Sequence, residues 1–334
     1  MALECVHKLA QVDERVVFIG SDLGPGVLDK MKVEFPARFF MEGVSEQYIV
    51  GMSAGLAMEG FIPYVNTIAT FLTRRCYEQV AVDLCIHDLP VRLIANGGGG
   101  VYAPLGPTHL AIEDIAIMRA LPNMTVVAPC DADEMNRLMM STVDWPHPMY
   151  IRLGKGGDKV VSKEEFGFEL GKAIQMRSGI DGVFVTTGVM TQLALDSADL
   201  LKEKGIDVGV VHVHTLKPFD AEVVIDSIKL YQRLGFYPML MPYQGNGKPY
   251  HVQGLITAFE RSAKAMKARL EQLTRYEIPL VGVDPSMTLT FRSEYKKAFP
   301  TFEAAVLLPQ EFLSQRLDAI AAHRLATPSA PYFV

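Results

Sequence analysis

Along the first 160 residues, continuous apolar runs alternate with segments whose apolar positions recur at helical spacing. VVFIGSD, FIPYVNT, PVRLIAN, MTVVAP and MYIRL are runs of the kind required by a sheet covered on both faces, and each predicts a strand. Between the first two, Ser45 stands as an N-cap for a helix in which Ile49, Val50, Met52 and Leu56 repeat and which Gly60 ends. The small residues Gly51, Ala54, Gly55 and Ala57 let that helix approach another backbone closely. A second helix carries Phe71, Leu72, Tyr77, Val80 and Leu84, and others run from Asp114 to Ala120 and from Asp131 to Thr142. Strand and helix in alternation predict an α/β fold with a doubly wound, mostly parallel sheet.

The pattern changes after residue 152. A linker, LGKGGDKVVSKEEFGFELGKA, leads to a second, smaller α/β unit. GVFVTTG predicts a strand ending at Gly188, VMTQLALDSADLLKEKG a helix closed by Gly205, IDVGVVHVH another strand, and TLKPFDAEVVIDSIK a helix with Pro218 near its start. Beyond about residue 230 the expected elements are a strand at FYPMLM, an amphipathic helix from Val252 to Leu273 and a strand at IPLVGV. The domain boundaries expected are 1–160 and 161–334, with 231–334 atypical. Asp284, Arg292 and Glu294 follow the last strand. They either line a site at the sheet's carboxyl edge or serve as structural hydrogen-bonders.

Composition narrows the function classes. A net charge of −6 offers no basic patch, so nucleic acid is not an expected partner. No run of some 18 apolar residues occurs, and MALECVHKLAQVDERVV lacks a signal peptide's charged and apolar regions. A cytoplasmic protein without a membrane partner is expected. Cys5, Cys76, Cys85 and Cys130 show no paired CxxC spacing, and no cysteine follows Cys130. Neither a disulfide nor an iron–sulfur cluster is expected. His212 and His214 fall on one face of a strand, but two histidines without a third ligand do not make a zinc site.

The most informative stretch is MEGVSEQYIVGMSAGLAMEGFIPYVNTIATFLTRRCYEQ, residues 41–79. Taken alone, Glu46 reads as a solvated carboxylate at a helix N-terminus before it reads as an acid with a task. The blocks GVSEQYIVGMSAGLAMEGFIPYVNTIATFLTRRCYEQV, LPVRLIANGGGG and GPTHLAIEDIAIMRALPNMTVVAPCD, in that order, resemble the pyrimidine-binding domain of transketolases. They also resemble the deoxyxylulose-phosphate synthases and, more distantly, the β subunits of 2-oxoacid dehydrogenases. The resemblance covers residues 10–160 closely and 161–228 more loosely.

It implies thiamine diphosphate as cofactor. Glu46 matches the glutamate that shares a proton with the aminopyrimidine ring, so that the 4′-nitrogen can take the proton from the thiazolium carbon. Phe71 matches the aromatic stacked on the pyrimidine; its bland reading is core packing. His109, in GPTHL, matches the histidine facing the reacting carbon, where an imidazole can hydrogen-bond a developing alkoxide; otherwise it is a polar loop residue. Lys155 falls where the family has a phosphate-binding arginine and keeps the charge without the planar fork; otherwise it is an exposed loop lysine.

Other positions depart from the family. Leu105 replaces an acidic residue that holds a substrate hydroxyl, and a second family histidine falls near Gly97 in the run Gly97–Gly100. That run could bring a backbone close to a ligand or be a flexible loop. Past about residue 230 the chain is similar instead to the C-terminal region of FAD-linked oxidases of the D-lactate dehydrogenase type, and a fusion is one account of it.

The family's Mg²⁺-binding GDG motif does not occur. The resemblance therefore implies a split enzyme, in which this chain is the C-terminal subunit and an N-terminal, diphosphate-binding subunit holds Mg²⁺. The assembly would be a heterotetramer or be built on a homodimer core, and it would carry two-carbon ketol groups between sugars or sugar phosphates. The alternatives are a 2-oxoacid dehydrogenase β subunit or deoxyxylulose-phosphate-synthase-like enzyme, and a non-catalytic scaffold or recombined fusion.

Overall fold

The computed structural model describes residues 2–21, 26, 28–220, 256–276, 278–281 and 285–316. The chain forms two compact units, Met1–Ile225 and Asp226–Val334.

In the first unit the strands β1 (Val16–Gly20), β2 (Phe39–Met41), β3 (Ile62–Ile68), β4 (Arg92–Asn96), β5 (Thr125–Val127) and β6 (Met149–Arg152) pair in parallel. The sheet has the order β10-β5-β6-β4-β3-β1-β2, where β10 (Thr215–Lys217) adds an antiparallel edge beside β5. Alternation along each strand sorts side chains to two cores. Ile19, Val65, Leu93, Val126 and Tyr150 join one cluster, with α3 (Glu46–Met58) and α5 (Asp114–Ala120). Their neighbours Phe18, Tyr64, Ile94, Val127 and Ile151 join the other, with α1 (Ala2–Val12), α2 (Asp29–Glu34) and α6 (Ala132–Ser141). The doubly wound α/β reading therefore holds. Because β1 lies between β2 and β3, strand order reverses there, which opens a crevice at the carboxyl ends of β1 and β3.

The same unit carries a three-stranded sheet of order β7-β9-β8, made of β7 (Ile174–Arg177), β8 (Gly182–Thr186) and β9 (Val208–His212), with α7 (Met190–Glu203) packed on it. It meets the large sheet through backbone bonds from Ala128 N–H to His214 O, 2.8 Å, and from Gly188 N–H to Ala128 O, 3.2 Å.

Three local expectations are revised. Ser45 occupies the N-cap position, but its hydroxyl donates to Glu42 O at 2.8 Å instead of capping α3. The second helix is not a regular α-helix: wide, π-helical turns span Phe71–Arg75 and Val80–Ile86, on either side of the single turn α4 (Tyr77–Gln79). β9 ends at His212, so His214 lies beyond the strand, although both rings are buried.

In the second unit, helix α8 (Ile256–Arg275) buries Phe259, Ala263, Met266 and Leu270, one stripe at helical spacing. The stripe packs against Phe291, Tyr295 and Phe302, and Leu280–Val281 pairs in parallel with Val306–Leu307. Arg292 donates to Val306 O at 2.8 Å and to both carboxylate oxygens of Glu311, and Glu294 accepts from Ser293, so both take the structural reading. Most of the helix expected after Pro218, the FYPMLM strand and Asp284 lie outside the described residues.

Candidate active site

Every residue singled out for chemistry sits on a segment leaving the carboxyl end of a parallel strand. Glu46 opens α3 after β2, Phe71 follows β3, His109 lies in the loop after β4, and Lys155 follows β6. This is the edge at which open α/β sheets bind ligands.

Glu46 is held by the fully buried Ile49 and Val50 in the next turn and is itself only 4% exposed. Its carboxylate accepts from Arg75 Nη1 at 3.3 and 3.4 Å. The same guanidinium lies 3.6 Å from the centroid of the Phe71 ring. Phe71 also meets His109 edge-on, with centroids 5.1 Å apart. Three of the four predicted residues thus converge, joined through one that the sequence reading did not single out. Arg75 reaches both partners because the turn Phe71–Arg75 is wide. The spacing of apolar residues carries no sign of such a turn; the doubled cation of the Arg74–Arg75 pair inside an apolar segment is the only trace.

The loop bearing His109 is clamped to this turn. Thr70 Oγ1 donates to Thr108 O at 3.1 Å, Arg74 Nη1 donates to Pro107 O at 2.7 Å, and Arg74 also pairs with Glu113. His109 Nδ1 lies 2.9 Å from Thr108 Oγ1, and Nε2 has no hydrogen-bond partner among the described residues. Burial, with the Glu46 charge adding, pushes the Cys76 thiol up to about 12, so this cysteine is no nucleophile at neutral pH.

The glycine run has a different role from either one expected. Gly97, at φ +78°, carries the Tyr102 ring where a Cβ would stand, 2.0 Å from its nearest atom, and Gly98 carries the Arg152 side chain at 2.7 Å. Arg152 donates to Asp114 at 2.7 Å, and Tyr150 donates to the same carboxylate oxygen at 2.9 Å. Paired backbone bonds between Gly99 and Ala111 complete the packing. The glycines let this chain pack on itself and brace the His109 loop. Lys155 is exposed and makes no ion pair among the described residues.

The Glu46–Phe71 pair fits an aminopyrimidine. A flat, cationic group with N–H donors already stacks on the phenyl face and bonds the carboxylate, which is the chemistry such a ring would present. No helix of the described residues is long and apolar enough to cross a membrane.

Residues 2–157 match the model of the transketolase pyrimidine-binding domain, and residues 171–242 that of the transketolase C-terminal domain. The chain is 36% identical over 219 residues to one subunit of the apulose-4-phosphate transketolase of Phocaeicola vulgatus, covering 65% of this chain and 70% of that one. It is 38% identical over 232 residues to the 1-deoxy-D-xylulose-5-phosphate synthase of Crocosphaera subtropica, covering 68% of this chain and 36% of the synthase. Against a solved structure of a split gene transketolase, an inactive beta4 tetramer, the TM-score is 0.62 at 35% identity, over 68% of this chain and 74% of that one. The match spans 63% of a transketolase family protein of Sinorhizobium fredii.

Proposed function

Because the chain belongs to the transketolase family, we propose that it is the C-terminal subunit of a split transketolase, transferring two-carbon ketol groups between sugars. The observation carrying this reading is the buried Glu46 carboxylate bonded by the same guanidinium that lies over the face of Phe71. Thiamine diphosphate, when bound, supplies the electron sink on which the two-carbon unit is carried.

The chain's own residues do the rest. Glu46, buried where water does not compete for its carboxylate, holds a proton at the pyrimidine nitrogen. Phe71 stacks on the ring and excludes water from one face. His109, on a braced loop with no partner at Nε2 among the described residues, donates to the substrate oxygen and passes protons to and from it. Lys155 offers an exposed cation for a phosphate or carboxylate.

The GDG motif for the diphosphate is absent, so we assign the diphosphate and Mg²⁺ to a partner, the N-terminal subunit. The Phocaeicola relative is itself one subunit of a transketolase, and it and the split tetrameric structure support that division. The working assembly is a heterotetramer in the cytoplasm, serving carbohydrate metabolism. Within the chain we place the pyrimidine-binding domain at 1–160 and a C-terminal domain at 161–334, its last part, 231–334, atypical.

The 38% identity to a deoxyxylulose-phosphate synthase favours a second reading, in which pyruvate is the two-carbon donor. With the partner present, ketol transfer from a ketose phosphate without pyruvate turnover supports the first reading, and the reverse pattern supports the second. In either assay Glu46→Gln should lower turnover at least about 100-fold while leaving the melting temperature within a degree or two. Full activity in this variant would show the mechanism to be wrong.

A further inference from the structure

The buried polar groups at the junction of the two sheets are not used by the proposed reaction. Cys130 follows β5, Glu134 stands in the first turn of α6, and His212 ends β9. All three are buried, and one ligand atom from each, a thiol sulfur, a carboxylate oxygen and an imidazole nitrogen, lies within 4.8 Å of the other two. Folding thus supplies ligands beside His212 that the sequence did not place there.

A further observation points to a ligand. Glu134 Oε2 accepts from Cys130 N–H at 2.6 Å and lies 2.8 Å from His212 Nε2, while its Oε1 is buried without a partner among the described residues. A bare polar atom buried in such a cluster is costly, because it has given up water without replacement. A divalent cation offers it a partner.

The surroundings of His212 suit a metal ligand. Its Nδ1 lies 2.8 Å from Thr191 Oγ1, which lies 2.9 Å from Thr186 Oγ1, which donates to Val211 O at 3.2 Å. With Nδ1–H donating into this chain of hydroxyls, the Nε2 lone pair faces Glu134 and Cys130. Such an outer hydrogen bond orients metal-bound histidines generally.

We propose that Cys130, Glu134 and His212 form a structural zinc site. A mixed sulfur, oxygen and nitrogen set suits tetrahedral Zn²⁺. Binding releases two protons, one from the Cys130 thiol and the one shared between His212 Nε2 and Glu134, while Nδ1–H goes on donating to Thr191. The two negative ligands balance the ion's charge. The ion would tie β9 to the start of α6, which strengthens the junction between the sheets without entering the reaction. Since every ligand is buried, it enters during folding.

The test uses the full chain expressed in zinc-supplemented cells, desalted, and analysed for metal content and by zinc X-ray absorption. The expected result is about one zinc per chain with a single sulfur near 2.3 Å and lighter ligands near 2.0 Å. Cys130→Ala and His212→Asn should lower the zinc retained at least tenfold, read on whatever fraction folds. No zinc in the wild-type chain, or zinc with only nitrogen and oxygen neighbours, would overturn the proposal, and the wild-type measurement does not depend on any variant folding.

Discussion

At the scale of the residue, the site turns on one guanidinium. Glu46, Phe71 and His109 were singled out because their motifs occur in order, and the structure links Glu46 to Phe71 through Arg75 and sets His109 edge-on to Phe71. Arg75 was illegible: its reach depends on a backbone turn that hydrophobic periodicity does not encode. Its side chain is 42% exposed, so its contacts are worth about 1 kcal/mol in all. If an aminopyrimidine takes the same face of Phe71 and the same carboxylate, Arg75 must yield them. Arg75→Met should therefore tighten cofactor binding in the mixed enzyme roughly fivefold, as 1 kcal/mol implies. A weaker binding constant would make Arg75 a positioning group instead.

The thiols give a second test at this scale. Burial holds Cys76 and Cys85 up to about 12 from the ordinary 9.0. A thiol raised on folding favours the native state fully below its unfolded pKa, and that contribution is lost as pH rises toward the folded value. The melting temperature should fall between pH 9 and 11, and both thiols should resist a thiol reagent at pH 8 until the chain unfolds. Rapid labelling of Cys76 or Cys85 in the native protein would contradict the packing.

At the scale of the element, the β1, β3, β4, β5 and β6 runs were visible because strands buried on both faces are apolar throughout. The edges β2, β7 and β10 were not, since an edge strand buries little: no residue of β2, only Ile174 of β7 and only Thr215 of β10 is buried. Helix α6 was read to within a residue at each end, and its cap explains why. Asp131 accepts from the N–H groups of Asp133 and Glu134, and equally from those of Val161 and Ser162 at 2.7 and 2.6 Å. One carboxylate thus starts the helix and pins the loop that follows β6. Those hydrogen bonds hold its pKa below the usual carboxylate range although burial alone would raise it. Asp131→Ala removes the cap and strands two buried donors, at about 3 kcal/mol. Calorimetry should show melting lowered by roughly 10 °C, and a fall of under 2 °C would show that the loop re-pairs.

At the scale of the molecule, the fold places all the candidate residues at one sheet edge without any of them being neighbours in sequence. β2, β3, β4 and β6 each deliver a loop there, which is how residues far apart in sequence come to one candidate site. The arrangement around Glu46 covers one ring face and one carboxylate, and nothing in the GDG-less sequence addresses a diphosphate. The account therefore requires the cofactor to be completed by a second chain. The most direct test is a calorimetric titration of thiamine diphosphate and Mg²⁺ into this chain alone, into the candidate N-terminal subunit alone, and into their mixture. The account predicts tight binding only in the mixture, lost with Glu46→Gln. Equally tight binding by this chain alone, or binding in the mixture indifferent to Glu46, would contradict it.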